Sequence, residues 1–195
     1  MLKVGLTGGI GSGKSFIAKV FEAMGIPVFY ADTQAHKLME TDDALRKGIQ
    51  ETFGNHLYQR RSLNRQALAK IVFADKSKLQ ELNALVHPAV HRAFAEWTKN
   101  QEQYGAPYVI EEAAILFESG AYKNMDKIIA IAASEALRIK RVMDRDNVEE
   151  EHVKARMRNQ WTDDQRIEQS DFIIYNQEND LLLPQIVNID KKLRV

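Results

Sequence analysis

One octet, Gly8-Gly9-Ile10-Gly11-Ser12-Gly13-Lys14-Ser15, constrains what this chain can fold into more than any other stretch. Just before it, Leu2-Lys3-Val4-Gly5-Leu6-Thr7 is a short, mostly apolar run suited to a buried parallel strand. Just after it, Phe16, Ile17, Val20, Phe21 and Met24 recur at helical spacing. Strand, glycine-rich turn, helix is the setting a phosphate-binding loop requires. The pattern is G-x-x-x-x-G-K-[ST], with Gly8, Gly13, Lys14 and Ser15 at the fixed positions. Glycines let the backbone curl so that successive N–H groups converge on an anion. The following helix adds the positive end of its dipole at the same spot. Lys14, in a solvent-facing loop, would reach the β- and γ-phosphates of a nucleoside triphosphate, and the Ser15 hydroxyl would hold Mg²⁺. The alternative is a glycine-rich turn carrying no ligand, and the octet in this context argues against it.

The chain has 195 residues, which accommodates one α/β domain with an insertion, or a domain and a small lid. Its formal net charge is zero, so no global field draws it to nucleic acid or membranes, and any anion site must be local. Cysteine is absent, which excludes disulfides and thiolate metal sites and suits the cytoplasm. No apolar run approaches the ~20 residues that span a bilayer. Residues 1–30 lack the basic-then-apolar pattern of a secretory leader. The expected assembly is a monomer, with a weak homo-oligomer as the alternative.

Further along, Gly25 is a helix stop, and Ile26-Pro27-Val28-Phe29-Tyr30 is a second strand. In an open α/β sheet, ligands bind beyond the carboxyl ends of the strands. Asp32 lies at such an end, either as a catalytic carboxylate or as the N-cap of a helix over Thr33–Met39. Residues 42–104 read as a helical insertion without strands, forming the wall of a cleft and punctuated at His87-Pro88. His87 reads as a turn residue or a ligand, and Arg60, Arg61 and Arg65 as solvated charges. A third strand over Pro107–Ala114 ends in Glu111-Glu112. Either acid is a solvated strand end or a holder of the metal and its waters, and only one can face it. Lys127–Ala133 is the fourth strand, after which Ser134 caps a helix with Arg138, Arg141 and Arg145 along one face. A helix starting at Asn147 follows, then Thr162-Asp163-Asp164-Gln165 as a capping box. Residues 141–168 are polar and arginine-rich, either a lid over phosphates or, like any charge stripe, a solvated face. Ser170–Asn176 is the fifth strand, with Asn176 on the ligand side, and a helix over roughly Asp180–Leu193 closes the fold, with Pro184 either in its first turn or kinking it.

The combination resembles the dephospho-coenzyme A kinases, a nucleoside-monophosphate-kinase-like branch of the P-loop proteins. The features that carry it are Gly5–Ser15, Ala31-Asp32, His87-Pro88, Leu116-Phe117-Glu118, Arg145-Asp146, Gln160 and the stretch Ser170-Asp171…Asn176. The resemblance implies an α/β fold, a five-stranded parallel sheet flanked by helices. Residues 1–41, 105–140 and 169–195 would form the nucleotide-binding core, 42–104 the helical acceptor domain and 141–168 the lid. It implies ATP-dependent phosphorylation of the ribose 3′-hydroxyl of dephospho-coenzyme A, with ATP and Mg²⁺ as cofactors. Asp32, Lys14 and Arg141 would be catalytic. Gly11, Ser12, Gly13, Lys14, Ser15, Phe16, Arg145 and Asn176 would hold the nucleotide. Asp32, His87, Leu116 and Glu118 would hold the acceptor, and Ser15 with Glu112 the metal. Two departures stand out: Phe16 replaces a usual threonine, and Ala114-Ile115 replaces Pro-Leu before Leu116. A GTPase switch would carry Asn-Lys-x-Asp and Asp-x-x-Gly, and neither occurs. By the residues alone, a nucleoside-monophosphate or shikimate-type kinase remains open.

Overall fold

The computed structural model describes residues 1–194. In chain order the elements are β1 (Leu2–Gly8), α1 (Lys14–Ala23), β2 (Val28–Tyr30), α2 (Ala31–Thr41), α3 (Asp43–Phe53), β3 (Tyr58–Gln59), β4 (Ser62–Leu63), α4 (Arg65–Ala74) and α5 (Lys76–Gln103). They continue as β5 (Tyr108–Glu112), β6 (Lys127–Ala132), α6 (Glu135–Asp146), α7 (Glu150–Met157), α8 (Asp163–Glu168), β7 (Phe172–Tyr175) and α9 (Leu182–Leu193). Two compact units result: Ala31–Trp97, and Met1–Tyr30 with the chain from Thr98 onward.

The second of these holds the five-stranded parallel sheet that was expected, in the order β2-β5-β1-β6-β7. β1 is central, with Leu6 opposite Glu112 on one side and Ile129 on the other. The chain builds β2 and β5 to one side of β1, then crosses to β6 and β7. That reversal makes the carboxyl end of β1 the topological switch point, where such sheets bind ligands. The octet departs from there.

Alternation along the strands sets the core. Val4 and Leu6, Tyr108 and Ile110, Ile129 and Ile131, and Ile174 pack against Ile17, Ala18 and Phe21 of α1 and Ile186, Ile189 and Leu193 of α9. Each large aliphatic side chain buried there contributes about 1.5–3 kcal/mol. The amphipathic face read from α1 is thus the one that seats the loop's helix on the sheet. α9 is fastened by the buried Tyr108 hydroxyl, which donates to Asp190 Oδ1 at 2.7 Å, while Arg194 Nε donates to both Asp190 oxygens. As expected, α1 stops at Gly25, which adopts φ 82°, and Pro184 falls in the first turn of α9, where its missing N–H leaves no helical bond unmade.

The unit Ala31–Trp97 is helical, with two corrections to the sequence reading. β3 and β4 form a short antiparallel pair, Tyr58 opposite Leu63, turned through Arg60 at φ 57°. Strands of this length show no alternation, so the pattern carried no signal. The second correction concerns His87-Pro88, which does not break the helix: α5 runs through it for 28 residues. Proline in a helix interior costs about 3 kcal/mol. Val86, Ala89, Val90 and Phe94 are buried around it, and their packing outweighs that cost.

Candidate active site

Between β1 and α1 the octet curls on itself: Ser12 N–H donates to the Gly9 carbonyl at 3.0 Å, and Phe16 and Ile17 N–H to Gly13 at 3.1 and 3.2 Å. Gly13 sits at φ 95°, and a Cβ there would run into the Asn176 amide. Glycine is required by the backbone and by that close approach. Asn176, buried at the end of β7, donates Nδ2 to the Ser12 carbonyl at 2.7 Å and thereby pins the loop. Lys14 is not solvent-facing as expected. It is 9% exposed, and Nζ lies over its own loop, donating to the Gly8 carbonyl at 2.9 Å. Ser15 and Phe16, in the first turn of α1, are exposed. The Ser12 hydroxyl is buried without a protein partner. A curled glycine backbone, a lysine folded over it and an orphaned hydroxyl fit a nucleotide's phosphates. Ser15 and Glu112 are hard oxygen donors of the kind Mg²⁺ takes. Among the described residues no group of three or more His, Asp or Glu could hold a metal.

The tip of the loop is gripped from the far side. Gln160 Oε1 accepts from Ile10 N–H at 2.9 Å, and Gln160 Nε2 donates to the Ala114 carbonyl. Arg138 Nε donates to the Ile10 carbonyl at 3.0 Å, and its Nη1 to Asp163 Oδ2 at 2.7 Å. Arg166, fully buried, joins Asp163 to Glu118, whose Oε1 also accepts from Trp161 N–H at 2.7 Å. Burial presses the Arg166 pKa down, while Glu118 and Asp163 oppose that. The Trp161 ring stacks on Phe117 at 4.8 Å. Beside this network, α6, α7 and the start of α8 line an open cleft of about 650 Å³.

The three arginines of α6 are not one solvated face. Arg138 is buried on the loop tip, and Arg141 Nη2 lies 3.4 Å from Asn176 Oδ1. Arg145 is exposed and bonds Asp146 at 2.7 and 3.0 Å. With Arg156 it holds the Asp146 carboxyl down to about 2. Glu111 and Glu112 are both buried, so neither is a solvated strand end. Leu116, expected to hold the acceptor, is fully buried, and a Cβ on Gly5 would meet its Cδ2 at 2.6 Å. Glu118 is drawn into the brace around Arg166 and Trp161. Ser134 takes the N-cap position of α6, but its side chain makes no cap bond, and Asn147 ends α6 rather than starting α7. The capping box of Thr162 and Gln165 is present. In the other unit, Asp32 is exposed in the first turn of α2, which begins at Ala31, so Asp32 is not the N-cap. His87 is half-buried midway along α5. That unit also carries an apolar cavity of about 160 Å³ lined by Met39, Leu63, Leu68, Val72 and Phe73 among others. Sequence reasoning missed the brace of Arg138, Asp163 and Arg166. The capping box marked Asp163 only as a helix start, and the charge pattern marked Arg138 only as part of a stripe.

The family model for dephospho-CoA kinase matches residues 2–181. The chain is 39% identical to a dephospho-CoA kinase of Chlorobaculum tepidum over 180 residues, 90% of this chain and 86% of the relative. Among solved structures, dephospho-CoA kinase from Campylobacter jejuni superposes with a TM-score of 0.72 at 28% identity, covering 98% of this chain and 96% of that one. Shikimate kinase from Bacteroides thetaiotaomicron, 11% identical with a TM-score of 0.58 over 100% and 99% of the two chains, shares the fold alone.

Proposed function

The chain belongs to the dephospho-CoA kinase family and is an ATP-dependent kinase of coenzyme A biosynthesis, and we propose here the residues that carry the transfer to the ribose 3′-hydroxyl of dephospho-CoA. The observation that supports the assignment is the convergence of Lys14, Asn176 and Arg141 on the curled loop at the end of β1. Phosphoryl transfer asks a protein for positioning and charge neutralisation more than for covalent chemistry. The amides of Gly11 and Gly13, the Ser12 hydroxyl and the ammonium of Lys14 take the phosphate oxygens of ATP, with Phe16 and Arg145 as further nucleotide contacts. Arg141, held beside Asn176, stabilises charge on the transferring group. Ser15 and Glu112 would hold Mg²⁺, which would supply further charge neutralisation when bound. Asp32 orients the acceptor hydroxyl and takes its proton.

We assign residues 42–104, with His87, to the acceptor domain, together with α2, which lies in the same compact unit Ala31–Trp97, and 141–168 to the lid. The apolar cavity between α2, α4 and α5 supports that role, since dephospho-CoA carries a long uncharged arm. Leu116 contributes through packing and Glu118 through the brace. The cysteine-free composition supports a cytoplasmic enzyme, and we expect a monomer. The test is an acceptor panel of dephospho-CoA, AMP and shikimate with ATP and Mg²⁺, read by ADP release. Dephospho-CoA alone should turn over efficiently; preferential phosphorylation of AMP or shikimate would overturn the assignment.

A further inference from the structure

The two peptides flanking Ile10 are both held from outside the loop, and the two holds differ in kind. Gln160 is a neutral side chain accepting Ile10 N–H, whereas Arg138 is a buried cation donating to the Ile10 carbonyl. Arg138 cannot serve as a phosphate ligand in this arrangement. Its side chain is 6% exposed and Nη1 is paired with Asp163 at 2.7 Å. It lies so close beneath the loop that a Cβ on Gly9 would collide with its guanidinium, and one on Gly11 with its backbone carbonyl. Its charge is already answered by Asp163, so what it gives the loop is direction.

That direction has a consequence for the neighbouring amide. No peptide bond among the described residues is cis, and in a trans peptide the C=O and N–H point opposite ways. Holding the Ile10 carbonyl outward therefore turns Gly11 N–H toward the inner side of the curl, where loop amides converge on an anion. Gly11 sits at φ 80°, and glycine leaves any one conformation readily. An external hold is what keeps the amide aimed. We propose that Arg138 is a positioning residue for nucleotide binding, setting Gly11 N–H through the Ile10 carbonyl. The proposal rests on reading the loop as the ATP site.

A purely structural role for Arg138, through its ion pair with Asp163, makes a different prediction, and two substitutions separate them. Glutamine carries its amide nitrogen the same number of bonds from Cα as arginine carries Nε. R138Q therefore keeps a donor at Ile10 while losing the reach to Asp163. R138M places a methyl group at that position and donates nothing. Both lose the ion pair, so a structural role affects both alike.

The measurement is the affinity of the full chain for a fluorescent ATP analogue without acceptor, accompanied by KM for ATP, KM for dephospho-CoA and Tm. R138Q should bind nucleotide within about twofold of wild type, and R138M about tenfold more weakly, the effect of one buried hydrogen bond. Tm should fall alike in both, and KM for dephospho-CoA should not move. Equal nucleotide affinity in the two variants overturns the proposal, as does a rise in KM for dephospho-CoA matching that for ATP. If R138M does not fold, R138Q decides alone: retained affinity supports the proposal and a tenfold loss overturns it. Because nucleotide binding is read without acceptor, failure of the acceptor assignment shows up separately, as absent turnover of dephospho-CoA by the wild type.

Discussion

At Asp32 and Lys14 the roles in folding and in chemistry come apart. Asp32 lies exposed in the first turn of α2, where a carboxylate contributes about 0.3–1 kcal/mol through the helix dipole. Asp32→Asn should therefore barely shift Tm. Asn cannot accept the hydroxyl proton, and general-base contributions run to about 10²–10⁴-fold. We expect kcat to fall by at least ~10²-fold while ATP affinity changes only a few-fold. A stable, fully active Asp32→Asn enzyme would remove Asp32 from the chemistry. Lys14 is the opposite case, because its ammonium is buried over the loop on the Gly8 carbonyl. Lys14→Met keeps most of the aliphatic stem but loses that bond, so melting should drop by several degrees with the fold intact by circular dichroism. Turnover should fall more than a hundredfold, since a transition-state contact of ~3 kcal/mol is worth that much. Retention of a tenth of wild-type kcat would contradict the phosphate-clamp role.

α5 and α6 show how far an element can depart from its local signals. α5 continues through Pro88 because buried side chains surround it on the packed face. The same burial, with His91 one turn further on, pushes the His87 pKa below its ordinary 6.5. A histidine kept neutral by the fold binds fewer protons than its unfolded counterpart, so it costs no stability above pH 6.5. As pH falls through 6.5 the unfolded chain takes up the proton first, and the folded state loses ground. His87→Gln should flatten part of the fall in unfolding free energy measured by urea titration between about pH 7 and 5. An unchanged slope would place the titration elsewhere. In α6, the i, i+3, i+7 spacing of Arg138, Arg141 and Arg145 is real, yet each meets a different environment: the loop tip, Asn176, and Asp146. Helical periodicity says which residues share a face, and says nothing about what lies opposite.

The molecule consists of two compact units, and the division of labour proposed for them is testable as a whole. Hydrogen–deuterium exchange with ATP should slow amides in 8–16 and in 160–166, because the loop tip is bonded to Gln160 and Arg138. Exchange with dephospho-CoA should slow amides within Ala31–Trp97, around α2, α4 and α5. If dephospho-CoA protected only the phosphate loop, Ala31–Trp97 would lose its role as the acceptor-binding unit.

What the sequence determined by itself is whatever depends on short-range chemistry. The octet specified a curled backbone because the positive φ of Gly11 and Gly13 and the close approaches at Gly8, Gly9 and Gly13 favour glycine. The apolar runs at Leu2–Thr7 and Ile128–Ile131 specified buried parallel strands, and the helical spacing of Ile17, Phe21 and their neighbours specified the face that α1 buries. Gly25, Pro184 and the Thr162–Gln165 box marked ends that require no distant partner. Tertiary structure decided everything that depends on what arrives from elsewhere in the chain. Residues far apart in sequence bring Asn176 onto Ser12, Arg138 and Gln160 onto Ile10, and Glu118 onto Arg166 and Trp161. The burial of Leu116, Glu111 and Lys14, and the unbroken course of α5, follow from packing density around them. A charge or a proline in sequence carries its own cost, but the neighbours that offset that cost are chosen by the fold.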